Sequence, residues 1–318
     1  MKKLSVLLAT LALSTPVHAA DLPSIPEFID EMVSKHHFAR SELVNLFAEA
    51  QHRPSIIDAI TRPATKKPWS DYRAVFVNPQ RVKAGVAWAQ QYRSVLQRAE
   101  QQYGVPQEVI VALIGVETLY GKNMGSYRVL DALTTLAFDY PKRAPFFRSE
   151  LENYLLLTRE LQLDRLELKG SYAGAIGIPQ FMPSSYRKYA IDFNGNHRVD
   201  LRNEMEDAIG SVANYLHKYG WKRDEPIAAR ARAGRVPADL IENKTVQTLV
   251  AWAKLEVHSE EAVAFDRNAR LMRFNLWDED QFWLGFNNFD VITRYNTSDY
   301  YAMAVFQLAE ALRVEMAQ

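Results

Sequence analysis

The stretch Pro106-Gln107-Glu108-Val109-Ile110-Val111-Ala112-Leu113-Ile114-Gly115-Val116-Glu117-Thr118-Leu119-Tyr120-Gly121 governs how the rest of the sequence is read. Pro106 opens a helix and Gly121 closes it. From Val109 to Val116 nearly every side chain is apolar, so this helix must be buried on all sides. Glu117 follows at its C-terminal end. Burial makes a carboxylate there costly to ionise and should raise its pKa toward the range of a general acid. The negative end of the helix dipole pushes in the same direction. The residues alone leave a second reading open: a structural Glu held by Arg or Lys.

Helical periodicity also dominates on either side of this segment. Residues 25–32, 41–48 and 55–60 read as short amphipathic helices, the third closed by Pro63. Residues 61–77 read as a connection around Trp69 and Tyr72. Asn78 caps a long helix with Pro79 in its first turn, running to Tyr103 and stopping at Gly104. Further helices are expected over 129–138, 145–161 and 206–219, the last ended by Gly220. Beyond Trp221 the pattern loosens. Residues 247–254 suit a helix or a buried strand, 270–276 and 281–286 suit short strands, and Thr297 or Ser298 caps a final helix over 300–314. No repeat or low-complexity linker divides the chain. The expectation is one mainly α (α+β) protein with fused lobes.

Composition excludes several classes. The 318 residues carry 38 basic and 38 acidic side chains, so no general field favours nucleic acid or an anionic membrane. Gly at 13 and Pro at 14 exclude collagen-like and low-complexity architectures. The 15 Phe, 15 Tyr and 6 Trp suit a ring-lined groove. Lys2 and Lys3, the apolar run Leu4 to Leu13, and Val17-His18-Ala19 predict a signal peptide over residues 1–19, leaving 20–318 as the exported protein. Its removal leaves 36 basic against 38 acidic side chains, a net charge of −2. The chain contains no Cys, which excludes disulfides, a thiolate metal site and a lipid anchor on an N-terminal Cys. A soluble protein of the periplasm is expected.

Three further segments carry chemistry. Residues 171–186 are rich in Gly and Ala, allow close backbone approach, and present Gln180 as both donor and acceptor. Such a wall suits a polymer bound through its amides and hydroxyls; taken alone, the same residues read first as a tight turn between helices. Asp192, Asn194, Asn196 and the Arg198 carbonyl follow the opening of a calcium loop, with Asp200 next in order and Glu206 or Asp207 as later acidic candidates. His197 stands where the turn wants Gly, and Asn203 where the pattern wants Glu. Any calcium held there is expected to be weakly bound, and an empty hydrogen-bonded turn reads as well. Residues 287–296, polar and aromatic, suit a saccharide site or a solvated turn.

Taken together, Gly115-Val116-Glu117-Thr118-Leu119-Tyr120-Gly121, the run from Gly174 to Ser184, Asp207 to Tyr215, and Ile292 to Asn296 with Tyr301 to Val305 resemble the membrane-bound lytic transglycosylase B family of peptidoglycan-cleaving enzymes. The resemblance extends over about 200 residues, from 105 to 305. It implies a lysozyme-like helical catalytic core with a helical alpha domain and a small beta lobe. It also implies a single catalytic Glu at Glu117, with Ser171, Gln180, Phe181, Tyr215, Tyr295 and Asn296 binding substrate, and a calcium loop from Asp192. The implied reaction is non-hydrolytic cleavage of the β-1,4 bond between N-acetylmuramic acid and N-acetylglucosamine, leaving 1,6-anhydromuramoyl ends and needing no cofactor for the chemistry. The implied partner is the glycan strand, with wall-synthesis or remodelling proteins as further candidates and no nucleic acid. Two rivals remain at this level. A hydrolytic muramidase would want a second carboxylate beside Glu117, and a peptidoglycan-binding scaffold would need none.

Overall fold

The N-terminal periodicities fold as α1 (Ile25–His36), α2 (Arg40–Glu49) and α3 (Pro54–Thr61). In α1 the buried Ile25, Phe28, Ile29 and Met32 form the stripe that helical spacing demands. The computed structural model describes residue 22 and residues 24–62 and 67–317; the expected signal peptide over 1–19 and the stop at Pro63 lie outside the described residues.

Two expectations are corrected next. The connection around Trp69 is a helix, α4 (Trp69–Phe76). Its weak local pattern is overridden by tertiary burial: Trp69 is fully enclosed, 5.1 Å from the Phe274 ring and 5.3 Å from that of Tyr300. The long helix expected after Asn78 is two, α5 (Pro79–Gln91) and α6 (Arg93–Tyr103). Asn78 does cap α5, its side chain accepting from the Arg81 N–H at 2.9 Å. Tyr92, at φ −108° and ψ 23°, ends one helix and starts the other. The bend keeps both flanking bonds, Tyr92 N–H to Trp88 and Leu96 N–H to Tyr92, while α5 and α6 each pack on the central helix.

That central helix is α7 (Gln107–Thr118), with every residue from Val109 to Val116 buried. α8 (Val129–Asp139) and α9 (Ala144–Glu160) form a hairpin, α10 (Pro183–Tyr189) packs on α9, and α11 (Met205–Lys218) packs on α6 and α7. A two-stranded ribbon, β1 (Tyr127–Arg128) with β2 (Lys169–Gly170), leads into the Gly-rich segment.

The small β lobe follows: β3 (Ala228–Ala233), α12 (Ala238–Glu242), β4 (Val246–Thr248), α13 (Leu249–Ala253), β5 (Val257–Ser259), β6 (Asn268–Asn275) and β7 (Asp280–Gly285). The strands form one antiparallel sheet in the order β4-β6-β7-β3-β5. Residues 247–254, undecided in sequence, divide between strand and helix because Thr248 Oγ1 accepts from the Ala251 N–H at 3.2 Å and caps α13. β3 carries no β-branched residue, and its Ala/Arg alternation hid it. The lobe has its own small core of Ala229, Leu249, Trp252, Leu271, Leu284 and Phe286. The chain then returns through α14 (Asn287–Ile292) and α15 (Asp299–Met316), whose Ser298 cap accepts from the Tyr301 N–H, to lie against α7. The architecture is a predominantly helical core with a small β lobe, as expected.

Candidate active site

Glu117 occupies the last turn of α7, and the chain leaves that helix abruptly. Leu119, Tyr120 and Gly121 follow with φ of 51°, 62° and 85°. Consecutive left-handed residues of this kind are costly for side chains other than Gly and must be held by their surroundings. Three contacts hold them. Tyr120 lays its ring so close to α7 that a Cβ on Gly115 would stand 2.7 Å from it, so only Gly fits there. The Tyr120 hydroxyl donates to the Arg81 carbonyl at 2.9 Å. Thr118 Oγ1 donates to the Ile178 carbonyl at 2.8 Å and accepts from the Gly121 N–H at 3.0 Å, tying the turn to the Gly-rich segment.

The Glu117 side chain retains some surface but sits in an apolar setting. Tyr301, on α15, donates its hydroxyl to Glu117 Oε1. Among the described residues no ion pair of Glu117 with Lys, Arg or His is present. Burial therefore dominates and pushes its pKa up to about 7, with the Tyr301 hydrogen bond pulling modestly the other way. Tyr72 on α4, Tyr295 and Tyr301 all feel this carboxyl's charge. The phenols of Tyr295 and Tyr301 are pushed well above their ordinary pKa, by burial first and by Glu117 second.

The Gly-rich segment supplies the adjoining wall. Ile176 and Phe181 exchange backbone hydrogen bonds at 2.8 and 3.1 Å, making a tight loop with Gln180 at φ 52°. The Gln180 amide nitrogen donates to the carbonyls of Met124 (3.0 Å) and Gly177 (2.9 Å). Ser171 Oγ accepts from the N–H groups of Ala173 and Ala175. Tyr295 donates to the Pro179 carbonyl, which brings the loop after α14 against the same wall. Asn296, next to it, is exposed and accepts from the Ser298 N–H at 3.2 Å.

Phe181 and Tyr215 lie under this surface more than on it. Phe181 is 2% exposed and Tyr215 5%, and the two rings stand 5.4 Å apart, with Tyr215 4.8 Å from Tyr295. The Tyr215 hydroxyl donates to the Arg294 carbonyl at 2.7 Å. Of the six substrate residues expected from the sequence, Ser171, Gln180, Tyr295 and Asn296 keep surface, and the other two support them. Tyr301 and Tyr72 were not singled out as site residues in the sequence. Tyr301 stands in the final motif of the resemblance, which was its one signal; Tyr72 had none beyond its aromaticity.

The loop from Asp192 is built from side-chain-to-backbone bonds. Asp192 accepts from the N–H groups of Gly195, Asn196 and His197, at 2.7, 3.2 and 2.7 Å. Asn194 accepts from Asn196 N–H, and Asn196 from Arg198 N–H, each at 2.9 Å. The acidic side chain that faces Asn194 and Asn196 is Glu204, at 2.8 to 3.0 Å from their amide nitrogens. Asp207, expected as a ligand, is fully buried behind the loop. Its two oxygens are occupied by the N–H groups of Phe193, Asn194 and Asp200. No group of three or more His, Cys, Asp or Glu side chains stands in a metal-holding arrangement among the described residues. The side chains gathered at this loop are Asp192, Asn194, Asn196 and Glu204, whose oxygens are of the type a hard cation takes.

A carboxyl with a raised pKa and no ion-pair partner, set beside a glycine-rich wall in a helical core, suits a general acid acting on a glycan, and the relatives of the chain are transglycosylases. The family model of the transglycosylase SLT domain matches residues 21–310. The chain is 42% identical over 309 residues to membrane-bound lytic murein transglycosylase B of Escherichia coli (strain K12), spanning 94% of this chain and 85% of that one. It is similar to the structure of Escherichia coli lytic transglycosylase Slt35 in complex with calcium, at a TM-score of 0.87 and 42% identity, covering 94% and 95% of the two chains. Soluble lytic transglycosylase SltB1 of Pseudomonas aeruginosa matches at a TM-score of 0.85 and 44% identity, covering 93% and 100%. The chain belongs to the membrane-bound lytic murein transglycosylase B family.

Proposed function

We propose that this protein is a lytic transglycosylase of murein that uses Glu117 as its only acid–base group. The observation that carries this reading is the Glu117 carboxyl: buried, hydrogen-bonded to Tyr301, and half neutral near pH 7. A neutral carboxyl can donate its proton to the glycosidic oxygen between N-acetylmuramic acid and N-acetylglucosamine as the C–O bond breaks. Positive charge then develops at the anomeric carbon, where the muramoyl 2-acetamido oxygen can stabilise it internally. Glu117, now ionised, keeps the Tyr301 O–H as a donor to its charge. It takes the proton from the O6 hydroxyl of the same sugar, and O6 closes onto the anomeric carbon. The products are a free 4-hydroxyl on one side and a 1,6-anhydromuramoyl end on the other, with no water consumed. Only one carboxyl is needed, whereas two-carboxylate glycosidases use a pair.

Gln180, Ser171, Tyr295 and Asn296 bind and place the sugar. The Gln180 amide nitrogen is engaged by two backbone carbonyls, so its oxygen is the end available to a sugar hydroxyl or acetamido N–H. Phe181 and Tyr215 form the floor on which Tyr295 rests. Asp192, Glu204, Asn194 and Asn196, with the Arg198 carbonyl, would hold a structural calcium, which would brace the loop ahead of α11 and supply nothing to the chemistry. Residues 20–318 act as one exported unit in the periplasm, where murein lies. No Cys is present for lipidation, and no described helix is long and apolar enough to cross a membrane. Digestion of purified sacculi by wild type and by Glu117→Gln, followed by mass analysis of the muropeptides, tests the reading. Anhydro ends from the first and none from the second are expected; products one water heavier would make the protein a hydrolase.

A further inference from the structure

Arg270 stands inside the protein with its charge. It is 2% exposed, on β6, and its backbone is paired on both sides, with Val246 of β4 and Gly285 of β7. The side chain leaves the sheet and reaches two helices. Its Nε donates to Asp290 of α14 at 2.6 Å, and its two terminal nitrogens donate to the two oxygens of Asp299 at 3.0 and 2.9 Å. Phe289 of α14 lies under the guanidinium, 5.2 Å from its carbon. Lys244, from the loop before β4, adds a second cation to Asp299 at 3.0 Å. A buried Arg is costly, and two carboxylates in fork geometry are what offset that cost.

The two carboxylates bracket one segment. Asp290 precedes the loop that carries Tyr295, and Asp299 is the first residue of α15, two before Tyr301. We propose that Arg270 is a positioning residue for catalysis: by fixing α14 and the start of α15 to one rigid strand, it sets where Tyr295 and Tyr301 stand around the Glu117 carboxyl. The β lobe thereby acts on a reaction carried out in the helical core. This inference rests on the assignment of Glu117 as the acid.

The groups that face Glu117 are Tyr72 from α4, Tyr295 from the loop after α14 and Tyr301 from α15, with Arg81 of α5 bound to the Gly115 carbonyl two residues back. Among the described residues only Tyr301 donates a hydrogen bond to the carboxyl, and that bond pulls its pKa down. Loosening the clamp should weaken the bond and move the basic limb of the activity profile to higher pH. Arg270→Lys keeps the charge and loses the fork. It is expected to melt near wild type, to lose about ten-fold or more in kcat, and to shift the basic limb upward in the same direction as Tyr301→Phe. The Arg270→Lys/Tyr301→Phe double variant should shift no further than Tyr301→Phe alone, because both act through one bond. If Arg270→Lys folds poorly, Asp290→Asn, which keeps the Arg270–Asp299 pair, gives the same reading. A folded variant with an unmoved profile, or fully additive shifts in the double, overturns the proposal. Glu117→Gln run beside them separates the two ideas: turnover in that variant defeats the acid assignment, whereas a dead Glu117→Gln with an unmoved clamp variant defeats the clamp alone.

Discussion

Glu117 and Asp299 are two sunken carboxyls on neighbouring helices, and their surroundings treat them in opposite ways. At the end of α7 no cation among the described residues meets Glu117, and burial lifts its pKa to about 7. At the start of α15, burial acts on Asp299 in the same direction, but the Arg270 fork and Lys244 outweigh it and hold Asp299 below its ordinary range. At neutral pH the first group keeps part of its proton, as the proposed acid must, while the second is charged and ties β6 to α15. A third buried carboxyl, Glu150 on α9, is also pushed up by burial, against the pull of its bonds to Ser184. It accepts from both the N–H and the hydroxyl of Ser184 at 2.9 and 2.6 Å, and so closes the start of α10. Glu117 differs from Glu150 in its place: it ends α7 beside the glycine-rich wall, which is why the acid role is proposed for it.

The sharpest way to break this contrast is Glu117→Gln. General acid–base catalysis is worth about 10²–10⁴-fold, and a loss of that size in anhydro-muropeptide release is expected, measured against a variant that melts no lower than wild type. The same pair of proteins tests the burial argument without any substrate. A carboxyl raised from 4.5 to about 7 binds a proton more tightly in the folded state. Its contribution therefore erodes stability as pH rises between those two values, by on the order of 3 kcal/mol. Glu117→Gln removes this dependence. The melting-temperature difference, variant minus wild type, should grow from pH 4.5 to pH 7; a constant difference would show that Glu117 is solvated. Asp299 runs the opposite way. Its depressed pKa contributes stability above its unfolded value and loses it as pH falls, so wild type should lose more stability than Asp299→Asn on acidification.

Tyr301→Phe gives a smaller effect. Removing a hydrogen bond to a charged group should raise the Glu117 pKa by roughly one unit, seen as a basic limb displaced to higher pH. The smallest effect is expected at the edge of the lobe. Phe265 is 73% exposed and outside both cores, so Phe265→Ser should change stability by no more than about 0.5 kcal/mol and leave turnover alone.

What the sequence could determine followed from local patterns strong enough to survive any packing. The all-round apolar run of α7 required burial, the stripe of α1 required a core on one side, and Asn78, Ser298, Gly104 and Gly220 marked their helix ends. The carboxyl at Glu117 stood out because a charge beside eight buried residues needs a reason. Tertiary structure decided the rest, because those features arise from residues far apart in the chain. Trp69 makes α4 a helix by packing on Phe274 and Tyr300; the Ala/Arg strand β3 exists because β5 and β7 flank it; Glu204 faces Asn194 and Asn196 while Asp207 is taken up by backbone N–H groups behind the loop. Tyr301 reaches Glu117 across 184 positions of sequence. Periodicity reports which side of an element is dry; only the folded chain brings a phenol to one carboxyl and a guanidinium to another.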